Sequence, residues 1–250
     1  MAIIIIESIG FSATHTISEM LDIDGKNYVS HGTQNFKKNT PMGQENLLFH
    51  QFYSQMIKQH DDYVNCISVH SNFDPSEIIK VITGTDTKFF GLLRKSQRNQ
   101  ILSCFYWAVN GFLNGRESLT RHLIQIHKDH GELFKQMGLP SNMNTCLMLY
   151  AFQHVVNFNI KLAQNTQKLF FMEDIIEDPM SFAMKIGATE IQDFSLKIAE
   201  GPSHKNEVKA YDFLINVQDI LEVLIKKLTI NIGEKRLNFN QIENFFSEKS

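Results

Sequence analysis

Residues 2–8 read Ala-Ile-Ile-Ile-Ile-Glu-Ser, and this run limits what the chain can fold into more than any other segment. Four consecutive isoleucines show no polar alternation, so they suit a strand buried on both faces, as in a parallel sheet. A small, hydroxyl-rich stretch follows, Ile9-Gly10-Phe11-Ser12-Ala13-Thr14-His15-Thr16, and then helical spacing through Ile17, Met20 and Leu21. Strand, small-residue loop and helix in that order make an anion cradle. The backbone approaches closely, and the helix start offers unsatisfied N–H groups and the positive end of its dipole.

The alternation continues along the 250 residues. Strands are predicted at 27–30, 64–69, 87–93 and 168–172, with helices at 45–59, after Asp74-Pro75, through Ile101, Phe105 and Val109, and after Asp178-Pro179. Asp-Pro supplies an N-cap and a first helical residue in both places. Residues 116–166 read as helix broken at Gly131 and at Gly138-Leu139-Pro140, and 208–228 as a further helix with a polar tail after Gly233. The pattern predicts an α/β fold: one domain over 1–250, with a parallel sheet of about five strands flanked by helices and a helix-rich second half. Its core is 1–187 and its helical extension 188–250. Ligands bind such sheets at the carboxyl ends of the strands. Residues 10–16, 31–35, 70, 94–98 and 173–174 fall there.

Composition narrows the partners. With 24 Lys+Arg against 27 Asp+Glu the formal net charge is -3, so no global basic field draws nucleic acid. Cys66, Cys104 and Cys146 are far apart and form no CxxC, as expected of buried thiols in the cytoplasm. The first apolar run is too short for a signal peptide or membrane span, so no integral membrane segment is expected. The loop fails the GxxxxGK[ST] pattern, because His15 and Thr16 stand where glycine and lysine are needed. No metal is expected: His127 and His130 share a helix face, but His122 does not join them.

Three motifs in order carry a resemblance. They are the first strand, loop and helix; Phe89-Phe90-Gly91-Leu92-Leu93-Arg94 followed by a helix bearing Ser103; and Phe171-Met172-Glu173-Asp174-Ile175 with Asp178-Pro179. Together they resemble the sulfotransferases that use 3′-phosphoadenosine 5′-phosphosulfate, a family with a P-loop NTPase-like fold, over roughly residues 3–187. The resemblance implies sulfuryl transfer from that co-substrate to a hydroxyl on a small molecule, sugar or lipid. It assigns the 5′-phosphosulfate to Ser12, Ala13, Thr14, His15, Thr16 and Ile17, and the 3′-phosphate to Arg94 and Ser103. It makes His31, at the end of the second strand, the catalytic base. An imidazole suits that role because its ordinary pKa lies near neutrality.

The chain departs from the family in two places. The loop's usual cation is Ala13 here, and one such electrostatic group is worth about 3–4 kcal/mol in a transition state. Lys37, Lys38, Arg98 and His15 are candidate replacements. Arg94 and Ser103 stand one residue further apart than the family's pair, so Lys95 is a second candidate for the 3′-phosphate. His15 and His70 remain alternatives to His31 as base. A catalytically inactive nucleotide- or partner-binding protein on the same fold, or a nucleotide-dependent phosphotransferase, are the other functional readings.

Overall fold

The computed structural model describes residues 1–10, 13–31, 49–59, 62–71, 73–188, 190–192, 214 and 216–250. The elements of the first half are β1 (Ala2–Glu7), α1 (Thr14–Leu21), β2 (Asn27–His31), α2 (Phe49–Gln59), β3 (Asn65–Val69), α3 (Pro75–Ile82), β4 (Lys88–Leu93) and α4 (Gln97–Leu113). There follow α5 (Glu117–Met137), α6 (Met143–Asn165), β5 (Lys168–Phe171), α7 (Met172–Glu177), α8 (Pro179–Ile186), α9 (Val217–Lys227), β6 (Thr229–Ile232), β7 (Lys235–Asn238) and α10 (Phe239–Ser247). The chain divides into two compact units, residues 1–95, 161–198 and 249–250, and residues 96–160 and 199–248.

The first unit carries the expected α/β fold. Its sheet has five parallel strands in the order β2-β3-β1-β4-β5. β1 lies at the centre, with Ile5 opposite Ser68 on one side and Phe89 on the other. Side chains alternate across a strand. Ile4 and Ile6 enter a cluster with Ile17, Met20 and Leu21 of α1 and Phe182 of α8. Ile5, on the opposite face, is equally buried. Each isoleucine so buried contributes roughly 1.5–3 kcal/mol, which is why the run tolerates no polar residue.

Topology then opens a crevice. β1 leads through α1 past β3 to β2, whereas β3 leads through α3 past β1 to β4. The two connections leave in opposite directions, so the carboxyl ends of β1 and β3 border the switch point where ligands bind open α/β sheets. The Asp-Pro caps form as expected: Asp74 accepts from the Ser76 N–H at 2.9 Å and Asp178 from the Ser181 N–H at 3.0 Å. Gly91 of β4 leaves room for its neighbour, since a Cβ there would lie 2.5 Å from Leu169 Cδ2.

The second unit is mainly helical. Gly131 does not break α5, which runs on to a left-handed Gly138 at φ 72°. One glycine inside a helix costs only about 1 kcal/mol, and the buried stripe Leu119, Leu123, Ile126, Phe134 and Met137 carries the helix past it. Asn159 of α6 donates to Gln97 and Gln100 of α4 at 2.6 and 2.9 Å, a buried amide link. The expected polar tail is folded: β6 and β7 form an antiparallel hairpin, and α10 buries Phe239, Ile242 and Phe246. The sequence signal for α10 was Asn238 with Gln241 three residues on, a capping box before apolar spacing. Of the expected helices 45–59 and 208–228, residues 45–48, 208–213 and 215 lie outside the described residues.

Asn238→Ala removes a reciprocal cap and is expected to lower unfolding stability by about 1 kcal/mol. Urea denaturation checks this, with Asn238→Asp as the variant that keeps the side-chain acceptor.

Candidate functional site

The carboxyl edge of the sheet ends in polar residues on three neighbouring strands. β1 closes with Glu7 and is followed by Ser8, β2 closes with His31, and β3 is followed by His70 and Ser71. Glu7 is fully buried. A buried carboxylate must be hydrogen-bonded, and Glu7 accepts from the Ser8 N–H and the Ser71 N–H, each at 3.1 Å, and from the Ser71 hydroxyl. His70 Nδ1 lies 2.7 Å from the Ser8 carbonyl and 3.8 Å from Glu7 Oε1. A carbonyl only accepts, so Nδ1 carries the hydrogen and Nε2 is the nitrogen that gains or loses the exchangeable proton.

Three left-handed residues shape the loop beside this edge: Gly10 at φ 91°, Ala13 at φ 50° and His70 at φ 54°. Gly10 suits that position by its positive φ, and a Cβ there would meet the His70 ring at ordinary contact distance, 3.4 Å from Cε1 and 3.6 Å from Nε2. Ala13 is the N-cap of α1 and brings no side-chain acceptor to its first turn, which holds no acidic residue. The amides of Thr14, His15 and Thr16 therefore belong to a turn of positive character. Ile17 is different: its N–H is spent on the Ala13 carbonyl at 3.1 Å and its side chain is buried in the core.

The sheet edge and α1 bring the histidines together. His31 Nε2 hydrogen-bonds Thr14 Oγ1 at 3.0 Å. Its ring centroid lies 3.7 Å from that of His15 and 5.7 Å from that of His70. Burial, then the neighbouring His15 and His70, push the His31 pKa down to about 4. Burial likewise lowers His70, against the raising effect of its bond to the Ser8 carbonyl and with a further lowering by His15. Among the described residues no group of three or more His, Cys, Asp or Glu is arranged to hold a metal ion.

The second predicted anchor is built as follows. Arg94 directly follows β4 with its side chain buried, and Glu173 Oε1 lies 3.7 Å from its Nε. The Lys95 N–H donates to Glu173 Oε2 at 2.9 Å, and the exposed Lys95 ammonium pairs with Asp174. Glu173 and Asp174 stand in the first turn of α7 and orient the two cations. Ser103 belongs to the second unit, on α4, and is fully buried. Arg98 also lies in that unit and pairs with Glu222. Ser12, Lys37, Lys38 and residues 32–35 lie outside the described residues. His122 and His130 pack against Tyr150 and Phe134, and His127 Nδ1 lies 3.3 Å from Ser141 Oγ. Glu7 and Ser71 were not apparent from the sequence; the only signal was a carboxylate closing an otherwise apolar strand.

No family model matches the chain, and no curated protein matches it. Among solved structures, a crystal structure of a sulfotransferase from Alicyclobacillus acidocaldarius is similar at 15% identity and a TM-score of 0.44, covering 90% of this chain and 96% of that one.

Two outcomes follow from this geometry. Ala13→Gly relieves a left-handed alanine at φ 50° and is expected to stabilise the protein by about 0.5–1 kcal/mol in thermal or urea unfolding. His31 titrates near 4 in the folded chain against 6.5 ordinarily, so between those values the unfolded chain binds more protons. Stability therefore rises with pH through that window, and His31→Gln should flatten the rise.

Proposed function

We propose that the chain is a sulfotransferase-type enzyme that moves a sulfuryl group from 3′-phosphoadenosine 5′-phosphosulfate to a hydroxyl acceptor. One observation carries this reading: His31, the expected base at the end of β2, hydrogen-bonds Thr14 in the first turn of the helix that follows the anion loop. The resemblance calls for base and cradle side by side, and the two are joined by a 3.0 Å contact. A pKa held near 4 keeps His31 unprotonated at neutral pH and makes it a weaker proton acceptor than an ordinary imidazole.

In the proposed reaction the 5′-phosphosulfate rests on the first turn of α1, against the amides of Thr14, His15 and Thr16, with Ser12 and Ala13 before them. The acceptor oxygen attacks sulfur as the bond from sulfur to the phosphate oxygen breaks. The hydroxyl proton passes to His31, and 3′-phosphoadenosine 5′-phosphate leaves. Arg94 and Ser103 are assigned to the 3′-phosphate by the resemblance. For Arg94 the incoming phosphate takes over from Glu173 as its anionic partner, a fork geometry to which guanidinium is suited. The acceptor is a small molecule, sugar or lipid. The three unpaired, buried cysteines fit a cytoplasmic setting.

Ala13 supports a second reading, in which the fold binds a nucleotide without transferring the sulfuryl group, since the usual loop cation is missing. Calorimetric titration with 3′-phosphoadenosine 5′-phosphate, with adenosine monophosphate as control, tests the site. Micromolar binding lost in Arg94→Ala is the expected result. Transfer assays then separate the readings. Wild type should act without added magnesium, and His31→Ala should lose at least about 100-fold in rate while binding nucleotide normally. Binding without any transfer to a panel of hydroxyl acceptors would favour the non-catalytic protein.

A further inference from the structure

We propose that Asn159 is a positioning residue for the 3′-phosphate: its buried amide fixes the rotation of α4 about its own axis, and with it the direction of the Ser103 side chain. The inference rests on the proposed function, which assigns Ser103 to that phosphate, and it concerns the second unit alone.

Apolar packing does not orient the start of α4. Residues Gln100, Ile101, Leu102, Ser103, Cys104 and Phe105 are all buried. At 3.6 residues per turn, a consecutive run of that length goes right round the helix. A helix enclosed in this way has no single apolar face to set its rotation, and burial itself is non-directional.

Directional bonds set it instead. The Asn159 Nδ2 of α6 donates to Gln97 Oε1 at 2.6 Å and to Gln100 Oε1 at 2.9 Å. These glutamines stand three residues apart, about 60° from one another around the axis, so one amide holds α4 at two points. All three side chains are at most 2% exposed, where no water competes for the bonds. Asn159 Oδ1 is buried too, and it has no hydrogen-bond partner among the described residues. An unpaired buried acceptor costs stability. An apolar contact between α4 and α6 would avoid that cost. What the amide adds is a fixed orientation, as a single buried asparagine does when it sets the register of a coiled coil.

Ser103 is the next member of the series Gln97, Gln100, Ser103 along α4. A group about 5–6 Å from a helix axis moves by about 2 Å when the helix turns by about 20°. Displacements of that order weaken ligand contacts severely. The rotation set by Asn159 therefore decides where the Ser103 hydroxyl lies.

The test uses the full chain and two probes, 3′-phosphoadenosine 5′-phosphate and adenosine monophosphate. The ratio of their affinities in calorimetry isolates what the 3′-phosphate adds. Asn159→Leu removes the donor at similar volume. The ratio is expected to fall about tenfold, with adenosine monophosphate affinity within about twofold of wild type. Ser103→Ala should lower the ratio by a similar factor, and the double variant should lower it no further, because Asn159 acts through Ser103. If Asn159→Leu does not fold, Gln97→Met and Gln100→Met each remove one of the two bonds and should lower the ratio in the same direction. An unchanged ratio in the folded variants, an equal loss for both nucleotides, or additive losses in the double variant overturns the inference and leaves Asn159 a core contact. Equal affinity of the wild type for both nucleotides sinks the proposed function itself, an outcome distinct from a wild-type preference that survives Asn159→Leu.

Discussion

Burial of β1 on both faces is the constraint from which the rest of the first unit follows. Ile4 and Ile6 face one helical layer, Ile5 is sealed on the other face, and β3 and β4 pair along both edges. Such a strand carries no polar side chain until it ends, and at its carboxyl end Glu7 and Ser8 appear together. Their polar groups need partners, and the nearest come from the neighbouring strand. The link from Glu7 and Ser8 to His70 and Ser71 satisfies those groups and also shapes the crevice. The site is thus a consequence of how a wholly apolar central strand is terminated.

Strain and charge are concentrated at the same edge. Two non-glycine residues, Ala13 and His70, adopt left-handed backbone there beside Gly10. Such conformations cost of order 1–3 kcal/mol each and persist only where surrounding structure over-determines them. Here the sheet register holds one side, through the His70 N–H to the Ile6 carbonyl at 2.9 Å, and α1 holds the other, through Ile17, Met20 and Leu21 in the core. The charges are unusual too. Three imidazoles gather where one buried carboxylate is already engaged by serine donors, and burial lowers the pKa of two of them, His31 and His70.

The strand-end cations show a different balance. Arg94 is buried with Glu173 nearby, and Lys95 is exposed with Asp174. An exposed pair of that kind is worth at most about 1 kcal/mol. A buried guanidinium, by contrast, must keep an anionic or hydrogen-bonding partner whatever else binds. For Arg94 the Glu173 carboxylate lies 3.7 Å from Nε. Its placement is tied to α7, whose first turn supplies both carboxylates.

Periodicity made the architecture legible. The isoleucine run, the Asp-Pro caps and the apolar segments ending in His31, His70 and Arg94 determine five strands and most of the helices, because burial and capping act locally along the chain. Two local signals pointed the wrong way or passed unnoticed. Gly131 lacked the power to end a helix whose apolar stripe continues past it, and the capping box at Asn238 preceded a helix that reads as polar tail until Phe239, Ile242 and Phe246 are counted as one face. His31 could be picked out from its place at a strand end. What it touches could not, because the strand order that sets β1 between β3 and β4 is a property of the assembled sheet. Only tertiary structure stacked His15 on His31, put Glu7 behind His70 and turned His70 toward Gly10. Those residues are separated along the chain and are joined by pairing register and backbone strain, which no local pattern encodes.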